Sequence, residues 1–180
     1  MAIGFAGVRA PKCQKNDFFI AGNHDDAKAC ELIDGYLGDF GYKEVLGKKV
    51  FWIRGALSTD RFHPDGDRVE GVDWWAYEEL NYQQLTAAVA LYKTIRPDIV
   101  ISHDCPKQMR KYFGERDGGI TLDALSTMFD IHNPEFWVHG HHHVQMITKV
   151  EETHFFSLGE LQEKKISTPK ITTKRIKPST

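Results

Sequence analysis

Three observations predict an α/β fold for this chain. Short apolar runs around residues 18–21, 98–102 and 136–138 read as buried strands. Between them lie segments with apolar residues at helical spacing, Leu85, Val89 and Tyr92 being the clearest set. Each of the three strands stops at a polar cluster able to bind ligands: Asn23-His24-Asp25, then His103-Asp104, then His141-His142-His143. Site loops leave the carboxyl ends of strands in this way in layered α/β domains. At 180 residues the chain is expected to form one domain with a sizeable core.

In chain order, residues 1–8 are glycine-punctuated and poor in polar side chains, unlike the frayed, polar start usual for a domain. The strand at Phe18-Phe-Ile-Ala21 runs directly into Gly22-Asn23-His24-Asp25-Asp26, where either aspartate can cap a helix expected over roughly residues 26–37. A hairpin follows, with Tyr42-Lys-Glu-Val-Leu46 and Lys49-Val-Phe-Trp-Ile53 flanking a tight turn at Gly47-Lys48. Residues 57–73 are polar and form a loop. Trp74-Trp75 is expected to open a helix capped by Asp73, with Glu78 and Glu79 in its early turns. A helix over 82–94 ends before Pro97, and a β-branched strand over 98–102 leads to His103. Helices are expected over 106–113 and 121–131, then the strand at 137, then a strand pair over 144–149 and 153–158. From Lys164 the chain is basic and rich in Thr, Pro and Ser, which divides it into a domain over 1–163 and a polar tail over 164–180.

Composition excludes several classes. A net charge of -2 gives no electrostatic case for nucleic acid or a membrane surface as a partner. No run is long and apolar enough to span a bilayer, and residues at the given start lack a charged region followed by an apolar stretch, so a secretory signal is not expected there. Cys13, Cys30 and Cys105 are odd in number and widely spaced, which argues against a disulfide framework and suits a reducing cytoplasm.

The densest chemical signal is Trp137-Val-His-Gly-His-His-His143, a buried strand broken at Gly140 and followed by three histidines. In extended geometry 141 and 143 point to one side and 142 to the other, so two imidazoles would share a pocket. Neutral imidazole is a common ligand for zinc, iron and related ions. Taken alone, the cluster fits a metal site and a solvated polar turn equally. The other strand-end loops shift the balance, because converging loops are how such sites are commonly built.

Together these loops resemble the later motifs of the calcineurin-like metallophosphoesterases: Gly22-Asn23-His24-Asp25, Ser102-His103, and Gly140-His141-His142-His143. Ile53-Arg-Gly-Ala-Leu-Ser58, Trp74-Trp75 with Glu78-Glu79, and Pro97-Asp-Ile-Val-Ile-Ser-His-Asp-Cys-Pro106 are similar to stretches of bacterial and phage members. The resemblance spans roughly residues 1–160 and implies a two-sheet sandwich flanked by helices. It implies hydrolysis of a phosphomonoester or phosphodiester with a pair of Mn, Fe or Zn ions. By position, Asn23, His103 and His141 would hold one ion and His143 the other. His24 would protonate the leaving oxygen, oriented by Asp25. His139 and His142 match no ligand position and read as polar rim residues, and Cys105 as packing beside the site.

Two opening motifs of that family, Asp-x-His and Gly-Asp-x-x-Asp, have no counterpart here. The chain reads as if it began just after the bridging aspartate, without the first strands. Two divalent ions about 3.75 Å apart repel by about 18 kcal/mol at an effective dielectric constant of about 20, a cost that carboxylates normally offset. The expectation is therefore at most one ion, on Asn23, His103 and His141, with activity impaired. An exposed sheet edge would favour a dimer. A catalytically inactive remnant that binds metal or a partner, and a metallohydrolase of another substrate class, are the rival expectations.

Overall fold

The computed structural model describes residues 2–3, 17–63, 66–114, 118–159 and 166. Its elements are β1 (Ala2–Ile3), β2 (Phe19–Ile20), α1 (Ala27–Cys30), β3 (Phe40–Val45), β4 (Lys48–Ile53), β5 (Phe62–His63), β6 (Gly66–Asp67), α2 (Tyr82–Ile95), β7 (Ile99–Ser102), a 3-10 turn (Lys107–Tyr112), α3 (Ile120–Ile131), β8 (Phe136–His139), β9 (Met146–Val150) and β10 (Thr153–Ser157). Six strands form one mixed sheet in the order β3-β4-β7-β8-β10-β9, with β4, β7, β8 and β10 parallel at its centre. None of the described helices is long and apolar enough to cross a membrane.

Strict alternation along the central strands sorts the two faces of this sheet. Phe51, Ile53, Val100, Trp137 and Phe155 point to one side and pack under Leu85, Ala88 and Tyr92 of α2 and Leu125, Met128 and Phe129 of α3. Their neighbours Ile101, Val138 and Phe156 point to the other side and meet Ile20 of β2, which is fully buried. β1 and β2 pair in parallel as a second, two-stranded sheet. The fold is thus α/β, helices covering one face of the main sheet and a small sheet the other. Of the expected tail, Ile166 is the one described residue, and it packs against the Ile20 cluster.

Two expected helices are corrected. The helix expected over 26–37 is a single turn, Ala27–Cys30, capped by the Asp26 carboxylate on the Lys28 and Ala29 amides. Beyond it the backbone joins the small sheet: Phe19 N–H donates to Gly35 O and Leu37 N–H to Phe19 O, both at 3.0 Å. Long-range pairing outweighs the local helical pattern there. No helix begins at Trp74 either. Asp73 Oδ1 accepts from Val69 N–H at 2.7 Å and Gly71 N–H donates to Trp74 O at 2.8 Å, closing a turn instead.

The site is positioned by register. Ile53 pairs with Ser102, Ser102 with His139, and His139 with Ser157, so four central strands end level. The residues that follow, His103 and Gly140 among them, emerge side by side at one rim, where Gly140 N–H donates to His103 O at 3.0 Å.

Candidate functional site

Asn23, His103 and His141 meet at this rim. His103 Nε2–H donates to Asn23 Oδ1 at 2.8 Å, and the His103 and His141 rings lie edge to face with centroids 5.2 Å apart. Gly22 makes the approach workable, since a Cβ there would sit 2.6 Å from His103 Cε1. Burial, then the neighbouring His141, holds the His103 ring well below the ordinary histidine pKa. Burial likewise lowers His141 to about 4. Both rings are therefore neutral near pH 7, the form that ligates metals.

Behind Asn23 stands a support that sequence reasoning missed. Asn23 Nδ2–H donates to Ser58 Oγ at 2.9 Å, and the Ser58 hydroxyl donates to Glu78 Oε2 at 2.5 Å. Ser58 N–H also donates to Glu78 Oε1, at 3.0 Å. All three side chains are buried. The chain of bonds assigns the amide nitrogen to Ser58 and so turns Oδ1 towards His103. Glu78 reads as an early helix residue in sequence, and only the turn at residues 71–79 carries it under Ser58.

His24 sits beside this set, its Nε2 3.3 Å from Asn23 Nδ2. Its pKa is lowered, first by burial and then by the charge of Arg68. Its Nδ1 is buried without a hydrogen-bond partner. Asp25 accepts from Gly22 N–H at 2.7 Å, so it braces the loop that carries His24. Burial raises its carboxyl to about 6.

The turn at 140–143 is not extended. His141 and His143 have φ of 64 and 54 degrees, in the left-handed region, so the period-two expectation fails at its premise. His141 turns to His103, whereas His143 is exposed. His142 turns to a different group: its Nε2 lies 3.1 Å from Asp104 Oδ1 and 3.3 Å from Cys105 Sγ, and its ring stacks on Phe113 at 4.1 Å. His139, expected at a polar rim, is fully buried, and burial lowers it to about 3. Position 139 belongs to the strand's core-facing side, together with Trp137.

The donor set suits a divalent ion. Asn23 Oδ1 and His103 Nε2 converge at 2.8 Å, and adjacent donors on a six-coordinate ion with bonds of about 2.0–2.1 Å lie about 3 Å apart. For Nε2 to ligate, its proton moves to Nδ1, which is buried and has no hydrogen-bond partner. The carboxylate acting on these rings is Asp104, which is already bonded to His142 and Arg110. The described residues thus fit one ion on Asn23, His103 and His141.

A family model for calcineurin-like phosphoesterases matches residues 5–145. No curated protein matches the chain. Among solved structures, a Staphylococcus aureus protein assigned as a 5'-nucleotidase, in complex with alpha-ketoglutarate, is 16% identical with a TM-score of 0.45, over 79% of this chain and 32% of its own. A hypothetical protein from Thermus thermophilus is also 16% identical, with a TM-score of 0.39 over 78% of this chain and 52% of its own. The chain therefore spans about a third of one and about half of the other. All three motif loops, at 22–25, 102–103 and 140–143, lie within the span of the family model, and the chain belongs to the calcineurin-like phosphoesterases, a family of metal-dependent phosphoester hydrolases.

Proposed function

We propose that this chain hydrolyses a phosphomonoester or phosphodiester with one divalent ion held by Asn23, His103 and His141. The observation that carries the reading is the convergence of Asn23 Oδ1 and His103 Nε2 at 2.8 Å with the His141 ring against His103. When bound, the ion supplies Lewis-acid polarisation of the phosphoryl group and acidifies water. Asn23 and the two neutral imidazoles bind and orient. His24, in contact with Asn23, carries the proton for the leaving oxygen. Its lowered pKa keeps it neutral in the resting site, and an arriving phosphate anion raises that pKa by direct charge attraction, so the proton arrives with the substrate.

Hydrolysis of a chromogenic phosphate ester with added manganese tests this. Asn23→Ala is expected to weaken metal binding. His24→Ala should retain the metal and lose at least about a hundredfold in kcat, the usual cost of a missing general acid. Loss of the metal in His24→Ala would reverse the assignment of these two residues.

A further inference from the structure

We propose that Cys105, His139 and His142 form a binding site for a borderline divalent ion such as Zn²⁺, separate from the set at Asn23, His103 and His141. The proposal stands independently of the phosphoesterase reading, because it uses none of the residues assigned there. One ligand atom from each of the three residues lies within 4.8 Å of the other two. His142 Nε2 and Cys105 Sγ are already 3.3 Å apart. A tetrahedral zinc with bonds of about 2.0–2.1 Å to nitrogen and about 2.3 Å to sulfur spaces its ligand atoms by about 3.3–3.7 Å. Closing the widest gap therefore takes a movement of no more than about 1.5 Å.

A second observation comes from His139. Its ring is fully buried, Nδ1 lies 3.3 Å from Gly140 O, and Nε2 has no hydrogen-bond partner. A buried polar atom left unpaired is costly, and a metal bond would satisfy it. Phe113 meets both rings, stacking on His142 at 4.1 Å and lying edge to face with His139 at 5.6 Å, so an apolar ring holds both imidazoles in place. One sulfur and two imidazole nitrogens favour zinc over the oxygen-seeking magnesium or manganese.

Binding has a definite proton balance. The Cys105 thiol loses its proton to solvent as the sulfur–metal bond forms. The proton at His142 Nε2, shared with Asp104, moves to Nδ1 of the same ring so that Nε2 can ligate. Asp104 keeps Arg110 and the Cys105 amide as partners, at 3.1 and 2.7 Å. Affinity should accordingly fall as pH falls.

Cobalt(II) alone, titrated into the purified full chain, tests the proposal, because a thiolate–cobalt bond gives an intense near-ultraviolet charge-transfer band. The expected result is a band whose final intensity corresponds to one thiolate–cobalt centre per chain, and which persists in His141→Ala and disappears in Cys105→Ser and His142→Gln. No such band in the folded wild-type chain would overturn it. So would a band retained in Cys105→Ser, which would trace the sulfur to Cys13 or Cys30. If Cys105→Ser does not fold, X-ray absorption of the zinc-loaded wild-type chain decides. A sulfur neighbour accompanied by imidazole supports the site, and a shell of nitrogen and oxygen alone refutes it.

Discussion

An asparagine can offer a metal only its carbonyl oxygen, so the orientation of the Asn23 amide matters as much as its presence. Ser58 sets that orientation by accepting from the nitrogen end, and Glu78 sets Ser58 in turn. Supporting bonds of this kind commonly contribute about 10–100-fold in metal affinity. Ser58→Ala should therefore weaken manganese binding by about that factor, and Ser58→Thr should restore most of it. A competition titration with a chromophoric chelator reads both, and equal affinity in wild type and Ser58→Ala would show that the amide is held some other way. Titration of the buried groups gives a second prediction. His103, His139 and His141 all have folded pKa values lowered by burial, to about 4 for His141 and about 3 for His139. The unfolded rings titrate near 6.5 and take up protons that the folded chain refuses, so stability is full above about pH 6.5 and falls as pH drops towards about 4. Asp25 acts the other way. Its folded value is raised to about 6 from 3.8, so between those values the folded chain holds a proton that the unfolded chain has lost, and stability rises as pH falls. The lowered histidines, His24 included, outweigh the raised carboxyls of Asp25 and Glu79. Tm should decline from pH 7 to pH 5, and Asp25→Asn should raise it at pH 7 while leaving it unchanged below about pH 4. A flat Tm over that range would contradict the burial of these rings.

Among the elements, the β3–β4 hairpin shows a local choice left unoptimised. Its two-residue loop is Leu46-Gly47, with φ of 51 and 74 degrees, one position earlier than the expected Gly47-Lys48. Leu46 is 92% exposed, so its side chain gains nothing from burial to offset a left-handed backbone. Leu46→Asn, which suits this turn type, should raise stability by about 0.5–1 kcal/mol in chemical denaturation, and Gly47→Ala should lower it by about 1 kcal/mol. Opposite signs would mean that the loop is not the two-residue turn. Elements written in adjacent residues, such as the apolar runs of β7 and β8 and the helically spaced apolar face of α2, were legible in the sequence. The segment at 31–37 was not, because its partner is Phe19, in a strand before the loop. The same limit hid Glu78, whose function depends on a turn fixed by the Asp73 carboxylate. Asn23, His103 and His141 stand out in their motifs, and the structure places them at one rim. The alliance of His142 with Cys105 was not, since positive φ at 141 and 143 redirects the side chains.

Across the whole molecule, among the described side chains of the small sheet, Ile20 meets the large one, fully buried against Ile101, Val138 and Phe156. Ile20→Ala should cost about 2–5 kcal/mol. Because β2 leads straight into the loop of Asn23 and His24, it should also weaken binding at the proposed metal site. Urea unfolding and metal titration of one preparation check both, and a loss below about 1 kcal/mol would show that the small sheet adds little to the fold.

The placement of His141 and His142 has a thermodynamic corollary. These consecutive residues belong to different clusters, one with His103 and the other with Cys105, so a single peptide unit joins the two proposed ligand sets. An ion that fixes one ring restricts the backbone of the other. Coupling between binding events is reciprocal by necessity. Whatever factor zinc imposes on the affinity for manganese, manganese must impose on the affinity for zinc. Paired titrations, each metal in the presence and absence of the other, should therefore return the same ratio, and a ratio of one would mean that the turn transmits nothing between its two faces.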